Sequence, residues 1–215
     1  MSHRIFLTGG TGYMGSRLTP ILAARGHQVE ALVRPGSERR LPTGCAAVAG
    51  DALDGASYQQ HVDGCDTFIQ LVGVAHPSPA KAQDFVAIDQ RSGMEAIQAA
   101  QRAGVGHFIY VSVAHPAPAM HAYIAARSAC EEVLGASGLN ATILRPWYVL
   151  GPGHRWPYAL IPFYWVAEWI PSTREGARRL GLVTVKQMLN ALAAAVDRPA
   201  TGVKIVEVPA IRGAV

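Results

Sequence analysis

Apolar residues along this chain switch between a two-residue and a 3.6-residue period, and the switches mark its elements. Residues 4–18, RIFLTGGTGYMGSRL, open with a β-branched and aromatic run that passes through a glycine loop into helical spacing. The spacing predicts a helix over 13–25, stopped by Gly26, and a strand over 27–33. Two short apolar runs follow, 46–49 ending in Gly50-Asp51 and 67–72 ending at Gly73. Ser78-Pro79 reads as an N-cap followed by proline at the first helical position. The helix it opens runs to about Ala103, with Phe85, Ile88, Ser92, Ala96, Ala99 and Ala103 on one face. Small residues on that face permit close packing against a sheet. Further strands are expected at 107–113, 140–144 and 203–208, and helices at 120–134 and 185–196.

Strands and helices therefore alternate at the pitch of βαβ units, and several strands are apolar on both faces. That combination predicts a doubly wound α/β fold: a parallel sheet covered on both sides, in three αβα layers. With 215 residues, half of them hydrophobic, the chain can bury one sizeable core. It is read as a single domain over 1–215, with a nucleotide-binding core at 1–150 and a smaller substrate-side portion at 151–215.

The first loop carries the chemistry. Gly9, Gly12 and Gly15 fall at G-x-x-G-x-x-G spacing between the first strand and the first helix. A sharp strand-to-helix turn leaves some positions no room for a Cβ, and others must let a pyrophosphate approach main-chain N–H groups. The helix then presents unpaired N–H groups and the positive end of its dipole to that anion. In such a site the second strand ends beside the adenosine ribose. There an acid would hold the 2′- and 3′-hydroxyls and repel a 2′-phosphate. This chain has Arg34, with Ser37, Arg39 and Arg40 close behind. A guanidinium suits a 2′-phosphate, so NADP is expected over NAD, with Glu30 earlier in the strand as the argument against. Asp51 has two open readings, an acceptor for the adenine amino group or a turn cap.

The net charge of +4 is modest, and the basic clusters at 34–40 and 174–179 are short and lack interleaved aromatics. Nucleic acid is therefore not an expected partner, whereas an anionic cofactor is. Cys45, Cys65 and Cys130 are odd in number and show no C-x-x-C spacing, which reads as reduced cytosolic thiols without disulfide or metal. No signal peptide precedes the first strand, so a cytoplasmic protein is expected. Residues 156–171, WPYALIPFYWVAEWIP, are strongly apolar but too short to span a bilayer, and Pro157, Pro162 and Glu168 interrupt them. A wall or lid over an apolar substrate is the favoured reading. Core packing, a dimer contact and interfacial membrane contact are the alternatives.

Tyr123 and Arg127 are four residues apart on one helix face, and Ser112 closes the preceding strand. With these, the chain resembles the extended and atypical branches of the short-chain dehydrogenase/reductase superfamily. The resemblance covers roughly residues 4–150 and rests on T-G-x-x-G-x-x-G at 8–15, Gly50-Asp51, FIYVSV at 108–113 and TILRPWYVLGPG at 142–153. It implies a Rossmann-type fold and an NAD(P) cofactor. It also implies a catalytic Tyr-x-x-x-Lys pair, in which tyrosine exchanges a proton with the substrate oxygen and a serine steadies that oxygen. Lysine lowers the tyrosine pKa and binds the nicotinamide ribose. By position these are Tyr123, Ser112 and, in place of lysine, Arg127. Arginine keeps the positive charge and can donate to ribose hydroxyls but cannot release a proton.

The expected cofactor-binding set is Gly9, Thr11, Gly12, Tyr13, Met14, Gly15, Arg34, Asp51, Ala52, Val72, Gly73 and Pro146. His115, His121 and His154 read as loop polar residues, and Trp147 and Tyr148 as either the nicotinamide-side wall or core. The favoured function is an NADP-dependent oxidoreductase or epimerase-like enzyme acting on a small, fairly apolar carbonyl or hydroxyl compound. A sugar nucleotide is less expected, given the short stretch left after Gly153. The alternatives are a surface Tyr123–Arg127 pair without catalytic meaning and a non-catalytic NAD(P)-binding regulatory or assembly module. A homodimer or protein partner stays open.

Overall fold

The computed structural model describes residues 2–152, 169 and 174–214. Its strands are β1 (Arg4–Thr8), β2 (Gln28–Val33), β3 (Cys45–Ala49), β4 (Thr67–Gln70), β5 (His107–Val111), β6 (Ala141–Arg145), β7 (Tyr148–Leu150), β8 (Leu182–Thr184) and β9 (Val203–Glu207). Seven of them form one parallel sheet in the order β3-β2-β1-β4-β5-β6-β9. The helices are α1 (Gly15–Ala24), α2 (Gln59–Val62), α3 (Ala82–Asp84), α4 (Arg91–Ala103), α5 (His121–Ala136), α6 (Arg174–Arg179), α7 (Val185–Asp197) and α8 (Val208–Arg212).

Alternation along β1 explains the layers. Ile5 and Leu7 point to one face, where they pack with Leu18 and Leu22 of α1, Leu192 of α7 and Ile211 of α8. Phe6 points to the other, where Phe68, Phe108, Ala96 and Ala100 of α4 and Leu134 of α5 close a second core. β4 and β5 are buried at every position, as strands covered on both faces must be. The expected Rossmann-type three-layer sandwich is present. Strand order reverses between β1 and β4, so their carboxyl ends open a crevice at the topological switch point.

Several details differ from expectation. The helix expected from Ser78 to Ala103 runs without a gap from Pro79 but changes its winding: a 3₁₀ turn at Pro79–Lys81, then α3, then a π-helical turn at Phe85–Gln90, then α4. Ser78 makes no side-chain cap and is extended, as a residue before proline prefers. Lys81 Nζ instead donates to the Ala75 and His76 carbonyls at 2.6 and 3.1 Å. At the other end Gly104 takes the left-handed conformation that terminates α4. The parallel pair β7–β8 and the short helices α2 and α8 were not expected. His154 and the 156–171 segment, Trp169 excepted, lie outside the described residues; Trp169 is exposed. Among the described residues no helix is long and apolar enough to cross a membrane.

Candidate cofactor and active site

Where β1 turns into α1, each glycine answers a different steric demand. Gly9 has φ +78°, and a Cβ there would lie 2.9 Å from the Leu71 carbonyl carbon at the end of β4. Gly12 is exposed; its N–H donates to Gly9 O at 2.9 Å, closing the turn. Gly15 is buried, and a Cβ there would collide with the Gly9 carbonyl oxygen and lie 2.8 Å from Gly10 Cα. α1 begins after Met14 with no side-chain cap and no acid in its first turn, so nothing from its own sequence neutralises the helix's positive end. A tight glycine turn leading into an uncapped helix start is the kind of geometry that receives phosphate groups.

The neighbouring positions gather at the same edge. Arg34 follows β2 directly and is exposed, its carbonyl accepting from Ser37 N at 3.0 Å. Glu30, the residue arguing for NAD, is paired with Arg4 at 3.2 Å and lies 3.5 Å from His61. Asp51 caps a turn, its Oδ1 accepting from Leu53 N at 2.9 Å, and Ala52 packs against the second core. Leu71 N donates to Thr8 O at 3.3 Å, which holds Val72 and Gly73 beside the glycine loop. Pro146 is buried after β6 and accepts from Ala114 N at 2.9 Å.

Ser112 continues the β5–β6 pairing by donating its N–H to Leu144 O at 2.8 Å, and its Oγ is buried without a hydrogen-bond partner. Tyr123 is half-buried, its ring 5.0 Å from the Phe85 ring. Arg127 is 5% exposed, so a solvated surface pair with Tyr123 is ruled out. Its Nη1 donates to Val111 O at 3.0 Å, and its Nη2 to Asp89 Oδ1 at 2.6 Å and Val72 O at 3.4 Å. Its Cζ lies 5.3 Å from the Tyr123 ring centroid. Nε is buried and unpartnered. In this arrangement both Nη atoms are engaged by protein, Nη1 with one of its two N–H bonds.

Asp89 went unrecognised in the sequence. It is fully buried in the π turn, with Oδ2 accepting from Val74 N at 3.0 Å. The available signal was a carboxylate next to Ile88 in a stripe otherwise reserved for small and apolar residues. Burial holds the Asp89 carboxyl above its ordinary range, against the opposing pull of Arg127 and the Val74 amide. Burial also works against the Arg127 charge, but Tyr123, Tyr110 and Asp89 outweigh it and keep the guanidinium protonated. Gly73 makes the pair possible: a Cβ there would collide with Arg127 Nη2 and lie 2.9 Å from Asp89 Oδ1.

His115 lies 3.6 Å from Glu131, which Arg145 also binds, while Arg145 reaches Glu207 at 3.2 Å. His121 is exposed. The Trp147 and Tyr148 rings meet edge-on at 5.6 Å. Among the described residues no group of three or more His, Cys, Asp or Glu could hold a metal.

A parallel sheet with a glycine cradle at its switch point defines a dinucleotide-binding α/β protein. The chain belongs to the NAD(P)H-binding family, whose model matches residues 9–155, and so to the Rossmann-fold, epimerase-like side of the short-chain dehydrogenases. It is 28% identical over 151 residues to a ceramide reductase of Caulobacter vibrioides, covering 69% of this chain and 47% of that protein. It is 30% identical over 115 residues to a 3-beta-hydroxysteroid dehydrogenase of Mycolicibacterium neoaurum, covering 51% and 31%. The chain thus spans less than half the length of either. Its fold matches a Bordetella bronchiseptica enzyme solved with NAD+, with TM-score 0.71 at 24% identity over 96% of this chain and 76% of that one. It also matches the Thermus thermophilus UDP-glucose 4-epimerase solved with NAD, with TM-score 0.68 at 20% identity over 95% and 77%.

Proposed function

We propose that this chain is an NADP-dependent oxidoreductase or epimerase-like enzyme that acts on a small, fairly apolar carbonyl or hydroxyl compound. The observation that carries the reading is the buried, unpartnered Ser112 hydroxyl at the end of β5, with half-exposed Tyr123 opening α5 at the same edge of the sheet. When bound, the nicotinamide supplies or accepts a hydride. Tyr123 exchanges a proton with the substrate oxygen, and Ser112 Oγ donates to that oxygen. Arg127 contributes a fixed positive charge beneath the Tyr123 ring. Tyr123→Phe should lower NADPH consumption across a panel of aldehydes, ketones and quinones by about 10² to 10⁴-fold while leaving NADPH binding in place. Unchanged consumption would overturn the assignment.

Arg34 supports NADP over NAD, because it stands free of Glu30, which Arg4 engages. Arg34→Ala should weaken NADPH but not NADH by roughly ten- to a hundredfold, as expected of one charge-assisted contact of about 1.5–3 kcal/mol. Equal losses in a calorimetric titration would remove the case for a 2′-phosphate. The free thiols of Cys45, Cys65 and Cys130 support a cytoplasmic setting. The protein-engaged donors of Arg127 favour a second reading, a cofactor-binding module without turnover. Tight NADPH binding, no turnover on any substrate of the panel and a partner recovered by pull-down would decide for it.

A further inference from the structure

Two residue pairs meet in register across a helix contact. Phe85 and Asp89, four apart in the π turn, face Tyr123 and Arg127, four apart in α5: ring to ring at 5.0 Å, and carboxylate to guanidinium at 2.6 Å. We propose that Asp89 is a positioning residue for the Tyr123–Arg127 pair. Its buried carboxylate anchors Arg127 as an internal strut under the tyrosine, and Arg127 does not bind the cofactor's ribose. The catalytic meaning of this assignment rests on the enzyme reading above.

The donor geometry argues for a strut. A planar guanidinium can reach several oxygens in fixed directions, which an ammonium on a flexible stem cannot. Arg127 uses that reach on three elements at once: Val72 O beyond β4, Val111 O at the end of β5 and Asp89 in the π turn. Two of its five N–H bonds are left, the second on Nη1 and the one on Nε, and Nε is buried. A buried guanidinium needs a counter-charge, and Asp89 supplies it with zero exposure of its own. Gly73 leaves the volume that both side chains fill. A single π turn, a local form common at functional sites, delivers both the ring against Tyr123 and the anchor for Arg127.

The test follows the Arg127 Nε–H signal by ¹⁵N NMR, assigned by its loss in Arg127→Lys, with NADPH as the titrated probe. In Asp89→Asn its hydrogen exchange should quicken at least about tenfold, the loss of local protection expected when an anchor is removed. With a carbonyl compound that the unaltered protein reduces, kcat should fall at least about tenfold while KM for NADPH changes less than about threefold. The neutral pair D89N/R127M guards against a variant that fails to fold, since removing both charges together leaves no uncompensated charge in the core. Its NADPH affinity should stay within about threefold of the original. Retained slow exchange in Asp89→Asn, or equal effects on kcat and KM, would overturn the positioning role. A loss of NADPH affinity of about tenfold or more in D89N/R127M would make Arg127 a ribose ligand after all. Should the unaltered protein turn over nothing while the exchange and affinity results hold, the enzyme reading falls and the strut remains.

Discussion

Gly15→Ala should abolish measurable binding of NADPH and NADH alike. The added methyl meets the Gly9 carbonyl oxygen, with Gly9 C at 2.9 Å and Gly10 Cα at 2.8 Å, all main-chain atoms that cannot rotate aside. Relief requires lifting α1 off the loop, which moves the amides that face the diphosphate. Overpacking of this kind costs about 1–3 kcal/mol of stability. The loss in affinity should be at least about a hundredfold, because several charge-assisted contacts are displaced together. Gly135→Ala, in α5 with nothing within 4 Å of the added carbon, is the control. Calorimetry with each dinucleotide and a melting curve for each variant check both. Undiminished affinity in Gly15→Ala would remove the loop from the binding site.

Arg127→Ala is expected to be the most destabilising single change at the site. It leaves Asp89 ionised in the core with only the Val74 amide as a partner from the present set. Breaking a buried ion pair from one side costs about 3–5 kcal/mol. Stability of a domain this size is roughly 5–15 kcal/mol, so much of it is at stake. The pH dependence has a definite sign. The Asp89 carboxyl already lies above its ordinary value of 3.8, chiefly through burial, and losing Arg127 removes one opposing influence. A carboxyl raised in the folded state favours folding when protonated. The deficit of the variant is therefore largest near neutrality and shrinks as pH falls through the raised value toward 3.8. Urea midpoints at neutral and mildly acidic pH measure it; a deficit that grows in acid would show that the carboxylate is not its source.

Much of this was legible because it depends on local spacing. The β1 loop declares itself through glycines at positions where a side chain has no room, and β4 and β5 through runs apolar on both faces. What escaped depends on partners distant in sequence. Asp89 reads as a misplaced charge until Arg127, far along the chain, is seen against it. Glu30 stands in the sequence as the argument against NADP, and nothing nearby reveals that Arg4 pairs with it. The π turn was hidden for a related reason: Phe85, Ile88 and Ser92 satisfy an ordinary helical stripe, and only the docking of α5 exposes the wider winding. The pair β7–β8 is simply too short to leave a pattern.

The missing side chain at position 73 also sets an order of events. While arginine occupies position 127, a Cβ at 73 forces Nη2 to move, and with it the contacts to Asp89 and Val72. An engineer who wants to enlarge residue 73 must therefore first shorten or re-aim the side chain at 127, and Asp89 Oδ1, 2.9 Å from that Cβ, must yield as well.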